Sequence, residues 1–141
     1  MPLIFRSMMR DGDSPKIGRK ARMLGARIPG DLLEKDGFVT PSTGGMSVSR
    51  SWRDLPAWHI PIRFKHLDPR AAGKQSDVSL WRIGLGPFTE GDVAEGLRLR
   101  TDSPTHGLVE PLETMSSEHY QEALAGTRDQ WHCIDEELEH E

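Results

Sequence analysis

The sequence predicts an α+β fold in a single domain: a compact, bent β-sheet of short strands with a helix near its C-terminus. Three observations carry that prediction. The 141 residues suffice for about one hydrophobic core and not for two. The 14 glycines and 10 prolines interrupt the chain too often for long helices. Apolar residues recur at a period of two in several short runs, and only the segment after Ser116 follows the helical period of 3.6.

Each element can be justified in turn. Residues 2–8, PLIFRSM, are apolar around one arginine and stop at the DGDSP turn cluster, which predicts a buried or half-buried first strand. From Lys16 to Lys35 the pattern is basic and weakly periodic, and Pro29-Gly30 breaks it, so a short helix or turn is expected after Pro29. GFVTPSTGGMSVSRSW, residues 37–52, contains a glycine-rich bend ahead of a strand. In AWHIPIRFKHL, residues 57–67, Trp58, Ile60, Ile62 and Phe64 predict one face of a strand, with His59, Arg63 and Lys65 on the other. Pro56 and Pro61 restrict it to an edge or bulged strand, because proline cannot donate to the ladder.

DPRAAGKQSD reads as a loop, VSLWRIGLG as a strand ending at Gly84 and Gly86, and GPFTEGDVAEG as a connection with room for a helical turn. LRLR at 97–100 and HGLVEP at 106–111 flank the turn TDSPT and predict a hairpin. In SSEHYQEALAGTRDQW, Ser116 is placed to cap a helix whose buried face carries Tyr120, Ala123, Leu124, Thr127 and Trp131. Residues 135–141 are acidic and poor in apolar side chains, so the domain is expected to span 1–134 and to leave a disordered tail.

Composition bounds the function. The formal charge of −4 conceals an asymmetry: Arg6, Arg10, Lys16, Arg19, Lys20, Arg22 and Arg27 crowd the start, and Asp135, Glu136, Glu137, Glu139 and Glu141 the end. Such runs serve as solvated faces or as docking surfaces. No nucleic-acid motif or aromatic platform accompanies the basic segment, and the acidic balance argues against nucleic acid as a partner. Cys133 is the single cysteine, so no intrachain disulfide forms, and a reducing cytoplasm is expected. MPLIFRSMMRDGD lacks the apolar run of a cleavable secretory signal, and no stretch approaches a membrane span; export, if any, is expected by a route that reads no such signal.

The chain contains no GxxxxGK loop, no GxGxxG, no paired CxxC, no HExxH and no GxSxG, and its histidines lack metal-ligand spacing, so no metal is expected. Three features remain. Arg6 lies mid-strand among apolar residues, where a guanidinium needs either a structural carboxylate or a phosphate-like ligand. Ser47 lies in TGGMSV, where Gly44 and Gly45 either make a turn into a strand or let a flat ligand approach the backbone, with the hydroxyls of Thr43 and Ser47 beside it. Glu110 ends HGLVEP with His106 four residues earlier on the same face, either as an exposed edge carboxylate or as a catalytic pair. An arginine, a Ser/Thr-bearing strand and a late glutamate, in that order, resemble the arrangement by which ADP-ribosyltransferases hold and cleave nicotinamide adenine dinucleotide (NAD).

A more specific resemblance rests on three segments. PLIFRSM resembles the opening L-Y-R-A strand of the small type VI secretion effector toxins of the Tse-two kind. GFVTPSTGGMSV resembles their G-x-x-x-P-x-T-G-G-x-S-V segment, and THGLVEPLETMSSEHYQEALAGTRDQW resembles their closing strand and helix. The resemblance implies an ADP-ribosyltransferase-like fold with an NAD cleft, action in a target bacterium's cytoplasm, and a cognate immunity protein or antitoxin. It carries over Arg6 and Ser47, with Gly44 and Gly45 alongside; Met46 departs from a familiar threonine, and Glu110 comes only from the general transferase pattern. The expected roles are Arg6 as anchor of the dinucleotide, Thr43 to Ser47 as pocket wall, and Glu110 or His106 assisting cleavage. Two competing readings are a non-catalytic binding module and a nucleic-acid-directed protein using the basic segment.

Overall fold

The computed structural model describes residues 1–141 and is best understood outward from the first strand. In chain order the elements are β1 (Ile4–Asp11), β2 (Ser14–Pro15), β3 (Glu34–Lys35), β4 (Phe38–Val39), β5 (Met46–Ser49), β6 (Val78–Ile83), β7 (Gly91–Ala94), β8 (Leu97–Thr101), β9 (His106–Pro111), β10 (Met115–Ser116), α1 (Ser117–Ala125), β11 (His132–Cys133) and α2 (Asp135–Glu139). The main sheet is curled and antiparallel, in the order β11-β6-β1-β5-β9-β8-β7 with β2 folded back on β1; β10-β4-β3 form a small second sheet. The fold is therefore α+β and mostly strand, as the distribution of glycine and proline predicts.

β1 pairs with β6 from Ile4↔Ile83 to Met9↔Val78. Ile4 and Met8 join Trp81 and Ile83 in a core of 18 buried residues that also contains Tyr120, Leu124 and Trp131. Phe5, one residue out of phase, packs with Leu80, Ile60, Phe64 and Leu138 in a second core of 8 buried residues. Alternation along β1 thus sends side chains to cores on both faces of the sheet. One face is covered by α1, capped as expected: the Ser116 Oγ accepts from the His119 amide at 3.0 Å. The β8–β9 hairpin also forms in register, from Leu97↔Pro111 to Thr101↔Gly107.

Three expectations fail for physical reasons. Residues 57–67 form no strand: Pro56 and Pro61 initiate 3-10 turns at Ala57–His59 and Ile62–Phe64. Ile60 and Phe64 are buried there, whereas Trp58 and Ile62 are 63% and 49% exposed, so the apparent period of two does not describe one face. GDVA, placed in a connection, is β7 and extends the sheet through its pairing with β8. The acidic tail is ordered as α2, because Asp135 accepts from the Leu80 amide at 2.9 Å and from Arg63 at 2.6 Å while Leu138 enters the second core. The domain therefore continues past residue 134. No helix is long and apolar enough to cross a membrane.

Candidate functional site

β1 and β5 touch through a single register pair, Phe5↔Ser49. Beyond it they diverge, dividing the main sheet into a β11-β6-β1 half and a β5-β9-β8-β7 half, and the guanidinium of Arg6 fills the gap. Its Nη1 donates to the Ser47 carbonyl at 2.7 Å, and its Nε and Nη2 donate to the Met23 carbonyl at 3.3 and 3.0 Å. All three contacts are to neutral backbone oxygens, so no carboxylate touches the guanidinium. Desolvation by burial is the main cause that lowers the Arg6 pKa to about 10, and Asp31 opposes it. The side chain remains cationic at neutral pH.

The gap opens into a cleft of about 140 Å³ whose lining includes Arg6, Arg22, Arg27, Ser47, His59 and His106. Ser47 is exposed there while its neighbour Met46 is buried in the core, so strand alternation assigns the serine and not the methionine to the cleft. Arg22 adopts a left-handed backbone with φ of 62°, uncommon for a side chain of its size. Its Nη1 reaches the Trp58 carbonyl at 3.5 Å, and its buried Nε has no partner in the protein. Asp31 is the one carboxylate in the lining, and Arg27 already engages it through Nη2 at 2.9 Å and through its amide at 2.7 Å. Three guanidiniums thus face one occupied carboxylate.

That excess of positive charge acts on His59. Burial, followed by repulsion from Arg22, Arg6 and Arg27, pushes its pKa down to about 4, so the imidazole is neutral at pH 7. His106 sits on the opposite strand with its Nδ1 held by Asp102 at 2.7 Å, which leaves Nε2 as the nitrogen without a protein partner. His106 Nε2, the Ser47 hydroxyl and a floor of guanidiniums therefore occupy one cleft.

Of the residues singled out in the sequence, Arg6, Ser47 and His106 converge. Glu110 does not. It shares a face of β9 with His106, but four residues of strand separate them by about 13 Å. Its carboxylate is buried at 2% exposure, where it accepts from the Ser42 amide at 2.7 Å and from Arg100 at 3.1 Å and pairs with Arg98 at 3.6 Å. It is a structural hub joining the 40–45 bend to the hairpin. Thr43 also stays outside the cleft, with its hydroxyl donating to the Thr40 carbonyl at 3.0 Å.

Gly44 and Gly45 are required by the chain's own backbone and not by a ligand. A Cβ on Gly44, where φ is 140°, would lie 2.0 Å from the Asp31 carbonyl oxygen, and one on Gly45 would lie 2.4 Å from that of Val109. This close approach seats β5 against β9. Tyr120 then locks it, accepting from the Met46 amide at 3.1 Å and donating to the Val109 carbonyl at 2.6 Å.

Arg22, Arg27, Asp31 and His59 were not selected by sequence reasoning. The signal available was the basic run from Arg6 to Arg27, three of whose members line the cleft. No family model, no curated protein and no solved structure matches the chain.

Proposed function

We propose that the protein is an ADP-ribosyltransferase-like toxin that binds NAD in the Arg6 cleft and cleaves it, transferring ADP-ribose to a bacterial cytoplasmic target or to water, under the control of an immunity protein or antitoxin. The observation that carries the reading is Arg6: a cation held at the floor of a cleft by backbone carbonyls alone, with a serine-bearing strand beside it and Arg22 left with an unpartnered buried Nε. Guanidiniums that lack a carboxylate partner in a partly buried cleft favour a phosphate-rich anion. Such a ligand supplies the negative charge that the protein itself does not place against Arg6 and Arg22.

When bound, the dinucleotide supplies a glycosidic bond that breaks with its electron pair leaving on nicotinamide, while a nucleophile's lone pair bonds to the sugar carbon and its proton is released. Arg6 and Arg22 hold the phosphates. The Ser47 hydroxyl orients the sugar, and His106 Nε2 accepts the proton while Asp102 stabilises the resulting imidazolium. His59, kept neutral, offers hydrogen bonds without competing for the anion.

A second reading, a binding module that holds the anion without cleaving it, is favoured by one observation: Glu110, the expected catalytic carboxylate, is consumed by Arg98 and Arg100. Release of nicotinamide separates the two. Purified protein incubated with labelled NAD and bacterial extract should release nicotinamide, and either transfer label to a macromolecule or yield free ADP-ribose. His106→Ala should abolish release while leaving NAD binding in place. Binding without release by the wild type would establish the module reading instead.

A further inference from the structure

The cleft is too small to enclose a whole dinucleotide: it holds about 140 Å³, against roughly 300–1,000 Å³ for pockets that enclose small organic ligands. A ligand anchored there by its phosphates must continue outside it. The direction is marked by Arg22 and His59, which the cleft shares with a neighbouring shallow hollow of about 10 Å³. Trp58 lines that hollow.

Trp58 differs from the other tryptophans. Trp52, Trp81 and Trp131 are at most 7% exposed and belong to the two cores, whereas Trp58 is 63% exposed. Its ring meets that of His59 edge to face, at 5.9 Å between centroids and 85° between planes, and its carbonyl accepts from Arg22. The 3-10 turn initiated by Pro56 thus fixes the indole beside the cationic cleft while most of its surface stays open to solvent. An indole is a stacking surface for a nucleobase, and guanidiniums are phosphate ligands. Arg22 joins the two.

We propose that a nucleoside diphosphate unit, free or as half of a dinucleotide, binds across both hollows, with its phosphates on Arg6 and Arg22 and its base stacked on Trp58. The inference rests on the dinucleotide reading above and adds the residue that recognises the base. It also explains why a tryptophan stands exposed next to a charged cleft instead of in either core.

The test compares ADP, NAD and inorganic pyrophosphate by calorimetry on the wild type, Trp58→Ala and Trp58→Phe. Because the Arg22 contact is to the backbone carbonyl of Trp58, substitution of the ring leaves it intact. The wild type should bind ADP about tenfold more tightly than pyrophosphate, the scale of one stacked base. Trp58→Ala should erase that difference without weakening pyrophosphate, and Trp58→Phe should keep part of it. In the wild type, ADP should also shield tryptophan fluorescence from acrylamide, since Trp58 is the one indole open to the quencher. ADP affinity unchanged in Trp58→Ala would overturn the base site while leaving the phosphate site standing. A wild type that binds none of the three ligands would overturn the dinucleotide reading and this inference together. A wild type that binds ADP and pyrophosphate but not NAD would keep the base site and restrict it to free nucleotides.

Discussion

Two charged regions of the molecule are built on opposite plans. At Glu110 one buried carboxylate gathers two guanidiniums and a backbone amide. In the cleft three guanidiniums gather around one carboxylate, Asp31, that is already bound to Arg27, and Arg6 and Arg22 find only carbonyls. The first arrangement is complete in charge within the chain and binds the 40–45 bend to the β8–β9 hairpin, although Arg98 Nε, at 3.6 Å from the carboxylate, makes no hydrogen bond. The second is incomplete and open to solvent. The difference teaches that an ion pair satisfied by the protein is scaffold, whereas cations that the fold holds in place without a carboxylate partner are free to serve the function proposed above.

The largest expected effect follows from breaking the complete region. Glu110→Gln leaves Arg98 and Arg100 without their carboxylate and should destabilise the protein by about 3 kcal/mol, at the lower end for a broken buried pair because both arginines are partly exposed. Urea denaturation reads this directly, and a cost near zero would remove Glu110 from the scaffold. Tyr120→Phe deletes the hydroxyl that ties the Met46 amide to the Val109 carbonyl and should cost about 2 kcal/mol by the same measurement, with the cleft residues unchanged.

Arg6→Met is the counterpart in the incomplete region. It removes a partly buried charge that no carboxylate touches but orphans the carbonyls of Met23 and Ser47, two opposing terms that should leave stability within about 1 kcal/mol of wild type. Nicotinamide release should nevertheless disappear. If Arg6→Met unfolds the protein as readily as Glu110→Gln does, the contrast between the two regions is lost.

At neutral pH the smallest effect concerns His59. Its folded pKa of about 4 lies below its ordinary value of 6.5, so the unfolded chain binds a proton that the native state refuses. Stability is therefore fully present above about pH 6.5 and declines as pH falls from there toward 4. His59→Gln should flatten the melting temperature across that window. A phosphate-bearing ligand, by neutralising the arginines, should raise the His59 pKa, which imidazole NMR titration would follow; a pKa that does not move on saturation would place the ligand elsewhere.

The legible part of the fold was local. Strict alternation in LRLR, followed by the turn TDSPT and the short run HGLVEP that Pro111 ends, has one reading, and Ser116 followed by a helical run has one start, so the hairpin and α1 were readable without tertiary information. The 57–67 segment was not, because a run broken by two prolines supports 3-10 turns with burial at Ile60 and Phe64 as well as a strand. The acidic tail misled for a related reason: composition counts its carboxylates but cannot show that Asp135 completes the β6 edge through the Leu80 amide. At the site, Arg6 was legible because a guanidinium amid apolar residues demands a partner. Glu110 was misassigned because the side chains that claim it, Arg98 and Arg100, sit across the β8–β9 ladder, and Arg22 and His59 enter the cleft only through an irregular loop and a turn that no periodicity describes.

The central claim is that unpaired Arg6 marks a site for NAD. Its most direct test is calorimetric titration of NAD into the wild type and into Arg6→Met, with the fold of both verified by denaturation. The account predicts saturable binding to the wild type that weakens as salt is raised, and no detectable binding to an equally stable Arg6→Met. Equal affinity in the two proteins, or a wild type that gives no heat, would contradict it.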